Sequence, residues 1–106
     1  MEKLDLRPEW LDIVRRIFAV HLPEADVIAY GSRVSGTAHE GSDLDLVVRN
    51  RNNPHLPAGN LGVVRDAFSE SNLPILVDIL DWARLPDGFR EEIERTGVVV
   101  FPLQGN

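Results

Sequence analysis

Cysteine is missing from this chain of 106 residues, which removes disulfides and thiolate metal sites and leaves nothing that points to an oxidising compartment. Lysine is nearly missing too: Lys3 is its one representative, the arginines are dispersed, and the formal net charge is -6. Binding to a phosphate backbone depends on clustered Lys and Arg that release counterions, so this balance argues against a template-dependent polymerase and against direct nucleic-acid contact. Long hydrophobic runs are also lacking. No segment approaches a membrane span and the opening residues, MEKLDLRPEW, have no apolar signal core, so the expectation is a cytoplasmic protein with no membrane partner. An acidic surface would suit a basic protein partner by electrostatic complementarity, although net charge serves plain solubility without any partner.

What is present is enough for one modest core. With 43% hydrophobic residues, a chain of this length buries roughly two-thirds of its unfolded surface, and a second domain does not fit, so residues 1–106 are read as one domain. The pattern along it is α/β. Pro8 opens a helix whose Trp10, Leu11, Val14, Ile17 and Phe18 recur at helical spacing and which ends near His21, Leu22 and Pro23. Residues 25–30, ADVIAY, form a strand that delivers Gly31 and Ser32 to a short helix beginning about Arg33. A strand from Asp43 follows, then a polar stretch rich in Asn and Pro over 49–60 that reads as a mobile loop bordering the substrate. A helix reaching about Ser71, an apolar strand around Asp78, a helix over 89–95 closed by Gly97 and a short strand VVVF complete the order.

The most informative stretch is GSRVSGTAHEGSDLDLVV, in which ten residues separate Gly31-Ser32 from Asp43-Leu44-Asp45. A glycine and a serine at a turn offer backbone N–H groups and a hydroxyl to phosphate oxygens. Aspartates at i and i+2 on a strand share one face, where two like charges repel and one tends to hold its proton. A hard divalent cation removes that penalty, and Mg²⁺ takes one or two carboxylates together with substrate phosphates. The bland alternative is a solvated strand entrance after Gly41-Ser42. Asp78 bears on that choice: it lies within the apolar run PILVDIL, where an uncompensated buried charge would be costly. Three acids from two strands could hold two Mg²⁺ ions about 4 Å apart, one for the attacking hydroxyl and one for the leaving pyrophosphate. Asp81 is the rival third acid, on the opposite parity from Asp78, and reads more easily as a cap or turn residue.

Other motifs fail on particular positions. Gly31 and Gly36 have P-loop spacing, but Thr37 and Ala38 stand where Lys and Ser/Thr are required. Asp43-x-Asp45 begins like a calcium loop, but the glycine at its sixth position is absent. Ser32 lacks the flanks of a nucleophile elbow. His21, His39 and His55 have no metal-ligand spacing and read as surface or packing residues, with His39 an exception only because it lies within the motif loop. Trp10 and Trp82 read as core or interface anchors, with a base-stacking role for Trp82 left open.

Taken together, Gly31-Ser32, Asp43-x-Asp45 and Asp78 in a later apolar strand resemble the polymerase-β-like nucleotidyltransferase superfamily. Within it the short length and the full cassette look most like the minimal nucleotidyltransferases, the MntA-type antitoxins paired with HEPN toxins. The resemblance implies a small mixed sheet flanked by helices. It places metal ligation and catalysis on Asp43, Asp45 and Asp78, and nucleotide contacts on Gly31, Ser32, Ser42 and Arg33, the last a triphosphate contact at a position where relatives often carry a basic residue. It further implies Mg²⁺ as cofactor, ATP as substrate, and AMP transfer to a tyrosine of a HEPN ribonuclease toxin. Two alternatives remain at this point. One is a noncatalytic antitoxin that silences its toxin by occlusion. The other is a small-molecule transferase of the aminoglycoside-modifying kind, which would normally need a further helical domain.

Overall fold

A computed structural model describes residues 4–103. Four strands form one mixed sheet: β1 (Ala25–Tyr30), β2 (Leu44–Asn50), β3 (Val77–Asp81) and β4 (Val98–Phe101), in the spatial order β3-β2-β1-β4. β1 runs antiparallel to both of its neighbours, and β2 pairs parallel with β3. Around the sheet lie α1 (Pro8–His21), the four-residue α2 (Ser32–Ser35), α3 (Leu61–Ser69) and α4 (Asp87–Thr96), with a 3-10 turn over Trp82–Arg84. The expected small mixed sheet flanked by helices is what forms. No helix among the described residues is long and apolar enough to cross a membrane.

The two faces of the sheet bury different partners. On one face Val27, Ala29, Leu46, Val48 and Ile79 pack against Val14 and Phe18 of α1 and Val64 and Phe68 of α3. The Phe18 ring anchors this layer, edge-on to Phe68 at 5.8 Å and 6.1 Å from Phe101. Such a buried aromatic is worth about 3–5 kcal/mol against alanine. On the other face Ile28 and Val47 pack against Trp82 and Ile93, with Tyr30, Leu80 and Phe89 around them. The alternation of side chains along β2 thus sends Leu44, Leu46 and Val48 into the first layer and leaves Asp45 on the second face, together with Val47.

Local chemistry explains the boundaries. Pro8 starts α1 where a missing N–H is harmless, and the Leu22 amide closes the helix by donating to the Phe18 carbonyl. Asn60 caps α3 by accepting from the Val63 amide. Within the loop expected to be mobile and to border the substrate, side chains hydrogen-bond the backbone. The Asn50 Oδ1 accepts from the Asn52 and Asn53 amides, and the Ala58 amide donates to Asp81. This loop leaves β2 from Asn50, the end opposite Asp43 and Asp45, and strand direction therefore carries it away from the acids.

Candidate active site

Strand pairing brings the acids together. In the register, Tyr30 of β1 faces Asp45 of β2, and Asp45 faces Asp78 of β3, so the three lie in one row across the sheet on the same face. Asp43 precedes β2 by one residue and sits two positions from Asp45. The electrostatics report the same proximity. Asp45 is half-buried, and its carboxyl is pushed above the ordinary range by burial first, then by Asp78 and Asp43. Tyr30 is raised from 10.0 to about 12 by burial and by the Asp45 and Asp78 charges. Its ring stands edge-on to Phe89 at 5.6 Å, which props it beside the acids.

Asp78 differs from its expected setting in one respect. It is exposed, because β3 is the outer strand of the sheet and begins only at Val77. Ile79 takes the core position, so no burial penalty demands a partner for Asp78. What unites it with Asp45 is register. Asp81 lies on the other parity, accepts from the Ala83 and Ala58 amides and caps the 3-10 turn, which is the cap role read from the sequence.

Gly31 links the turn that opens α2 to the acids. Its φ is +81°, and a Cβ added there would collide with Asp45 Oδ2 and lie 3.2 Å from the Asp45 Cγ. Only glycine lets the carboxylate lie against this backbone. The first turn of α2 follows at once. The Val34 and Ser35 amides return to the Gly31 carbonyl, and Gly36 ends the turn in the left-handed region at +90°.

Arg33 does something other than face a triphosphate. It is 3% exposed, and its guanidinium donates to the carbonyls of Ser42, Asp5, Glu40 and His39. The Asp5 amide in turn donates to the Arg33 carbonyl at 2.7 Å. Arg33 is therefore the clamp that shapes the loop ahead of Asp43. Ser42 and His39 belong to the same construction. The Ser42 hydroxyl accepts from the His39 amide, and His39 Nδ1 accepts from the Gly41 amide. Trp10 stacks beneath the clamp with the Arg33 and Arg7 guanidiniums 5.8 and 5.2 Å from its ring. Trp82 is buried beneath Arg49, 4.9 Å from its ring, and so serves the core rather than a base.

Beyond Gly31 and Ser32 the surface opens into a cleft of about 530 Å³ between α2 and the last turn of α4. Ser32, Ser35 and Thr37 line one wall, and Glu92, Arg95 and Thr96 the other. Neither Tyr30 nor Arg95 was singled out from the sequence. Tyr30's parity with Asp45 emerges only from antiparallel pairing, and a charge on a helix reads first as a solvated face.

Metal binding can be judged on the donor set. Asp43, Asp45 and Asp78 carry carboxylate oxygens, the donor type Mg²⁺ prefers, and a cation there would relieve their mutual repulsion. Among the described residues no three acidic, histidine or cysteine side chains already converge as a metal cage. A hard cation that draws the rest of its shell from phosphates and water does not require one.

Comparison with known proteins identifies the family. Residues 13–104 match the family described as "Polymerase beta, Nucleotidyltransferase". The chain belongs to that nucleotidyltransferase family, and it is a minimal member of the MntA type. It is 42% identical over 98 residues to the "Probable protein adenylyltransferase MntA" of Haemophilus influenzae, an alignment that covers 92% of this chain and 84% of the relative.

Proposed function

We propose that this nucleotidyltransferase moves AMP from ATP to the hydroxyl of a tyrosine on a HEPN toxin, which it thereby neutralises in the cytoplasm. The observation that carries the reading is the Asp45–Asp78 pair in adjacent register, set against the Gly31-Ser32 turn. The name of the Haemophilus relative supports a protein as acceptor.

In this reading Gly31 and Ser32 hold the β- and γ-phosphates, so that the α-phosphorus lies over Asp43 and Asp45. Asp78, on the open edge of the sheet, accepts the proton of the attacking hydroxyl. The acceptor oxygen forms a bond to the α-phosphorus while the bond to pyrophosphate breaks in line. Mg²⁺ held by Asp43, Asp45 and Asp78 would neutralise their repulsion and withdraw charge from the phosphates. Arg33, Ser42 and His39 position the first acid through the loop. Positioning and charge neutralisation supply most of the acceleration, since little covalent chemistry is asked of the protein.

The test is label transfer from ATP carrying its isotope at the α-phosphate, with Mg²⁺ and the co-purified partner. A labelled partner band should appear with the wild type and vanish with Asp43→Asn combined with Asp45→Asn. Firm partner binding and neutralisation by that double variant, without label, would replace catalysis by occlusion. Label on a small molecule alone would identify the aminoglycoside-type chemistry instead.

A further inference from the structure

The acid row accounts for one end of a nucleoside triphosphate and leaves the other without a cation. A triphosphate is strongly anionic, this chain carries a net charge of -6, and the basic residue within the motif, Arg33, is buried on carbonyls. Serine hydroxyls and backbone amides can orient phosphates, but charge-assisted contacts are roughly twice as strong as neutral ones. The cleft that opens beside Gly31 and Ser32 contains one basic side chain among its lining residues, Arg95.

Arg95 is placed and available for that task. It lies in the last turn of α4, which is anchored on the sheet by buried Ile93, so the helix sets the point on the cleft wall from which the Arg95 side chain extends. Acidic neighbours stand one helical turn before it, Glu91 and Glu92, yet among the described residues Arg95 forms neither an ion pair nor a side-chain hydrogen bond. Arg90 on the same helix shows the contrast, since its guanidinium is engaged by Asp87 and by the Trp82 and Ala83 carbonyls. The Ser32 hydroxyl across the cleft is likewise without a partner among the described residues, whereas Ser35 and Thr37 bond each other at 2.9 Å.

We propose that Arg95 is the phosphate-binding cation of this site, contacting the terminal phosphate of the nucleoside triphosphate opposite Ser32. This rests on the nucleotidyl-transfer reading and adds to it a residue outside the motif. Arg95 is a binding residue, remote from the attacked phosphorus. Its forked guanidinium suits a phosphate held by two oxygens, which a lysine would hold only as a point charge.

Calorimetric titration of ATP and ADP into the whole protein with Mg²⁺ tests it, using the wild type, Arg95→Gln, Arg95→Lys and Glu92→Gln. Loss of one charged phosphate contact should weaken ATP binding about tenfold in Arg95→Gln while ADP weakens much less, so that the preference for ATP over ADP collapses. Arg95→Lys should recover part of the preference, and Glu92→Gln should retain it or increase it. Melting temperatures should match, because Arg95 is exposed and unbonded. Equal losses for ATP and ADP, or no loss, overturn the assignment to Arg95 while leaving nucleotide binding intact. A wild type that binds neither nucleotide would overturn the transfer reading, and the Arg95 assignment with it.

Discussion

The Asp45 carboxylate occupies the space where a Cβ on Gly31 would stand. The turn at Gly31 and the central acid are thus in direct contact, although fourteen positions apart in the chain.

Gly31→Ala should therefore cost activity more than stability. A displacement of about 1 Å in a reacting group can lower the rate about 10²-fold, whereas a strained left-handed backbone costs about 1–3 kcal/mol. Gly36→Ala provides the control: its φ is +90°, but a Cβ there meets nothing within 4 Å. It should show the backbone cost with little loss of transfer. Paired measurements of melting temperature and label transfer distinguish the two positions.

Asp45→Asn should stabilise the metal-free fold while abolishing transfer. The Asp45 carboxyl is raised in the folded protein above its usual value of 3.8. The native state thus binds more protons than the unfolded one between that value and the raised one, and stability falls as pH rises through the window. Removing the charge should lift the melting temperature at pH 7 and flatten its dependence on pH above 3.8. Mg²⁺ should raise the wild-type melting temperature and leave the Asp45→Asn value nearly unchanged, because a ligand stabilises only the state that binds it.

Tyr30 is the single tyrosine of the chain, so phenolate absorbance reads it without interference. The midpoint should lie near 12 rather than 10.0. Asp78→Asn should move it down, since one of the repelling charges is gone. The phenol is bound to its proton in the folded state over that interval, so its contribution to stability is lost as pH climbs from 10 to 12. A wild-type midpoint at 10 would separate Tyr30 from the acid row.

Arg33→Lys should be a damaging exchange despite keeping the charge. A point-charge ammonium cannot span the carbonyls of Asp5, Glu40 and Ser42 that the planar guanidinium engages. Leaving these partly buried carbonyls to water should cost no more than about 1 kcal/mol each, and amide exchange should accelerate over residues 38–43 before it does in β1 or β2. A loss of transfer with unchanged protection in that loop would instead place Arg33 on the nucleotide.

Much of the architecture was legible because its signals are local. Pro8 and the spacing of Val14 and Phe18 define α1, and alternation along β2 assigns Asp45 and Leu46 to opposite faces. Three features were not legible because they depend on distant partners. Asp78 is exposed only because strand order makes β3 an edge. Arg33 is engaged by carbonyls from two separate segments, that of Asp5, 28 residues earlier, and those of 39–42. Arg95 gains meaning only when α4 is laid beside α2. Sequence spacing anticipated that Asp43 and Asp45 share a face, but not that the Arg33 guanidinium and the Ser42 hydroxyl are engaged within the loop.

The row Tyr30, Asp45, Asp78 has a last consequence. Side chains alternate along a strand, so a slip of β2 by one residue would turn Asp45 inward and deliver Leu44 or Leu46 to the surface in its place. The core and the chemistry are written in the same reading frame, and an error in one erases the other. On the proposed transfer reading, mispaired forms would be silent rather than careless, and turnover would report that the strands have met correctly.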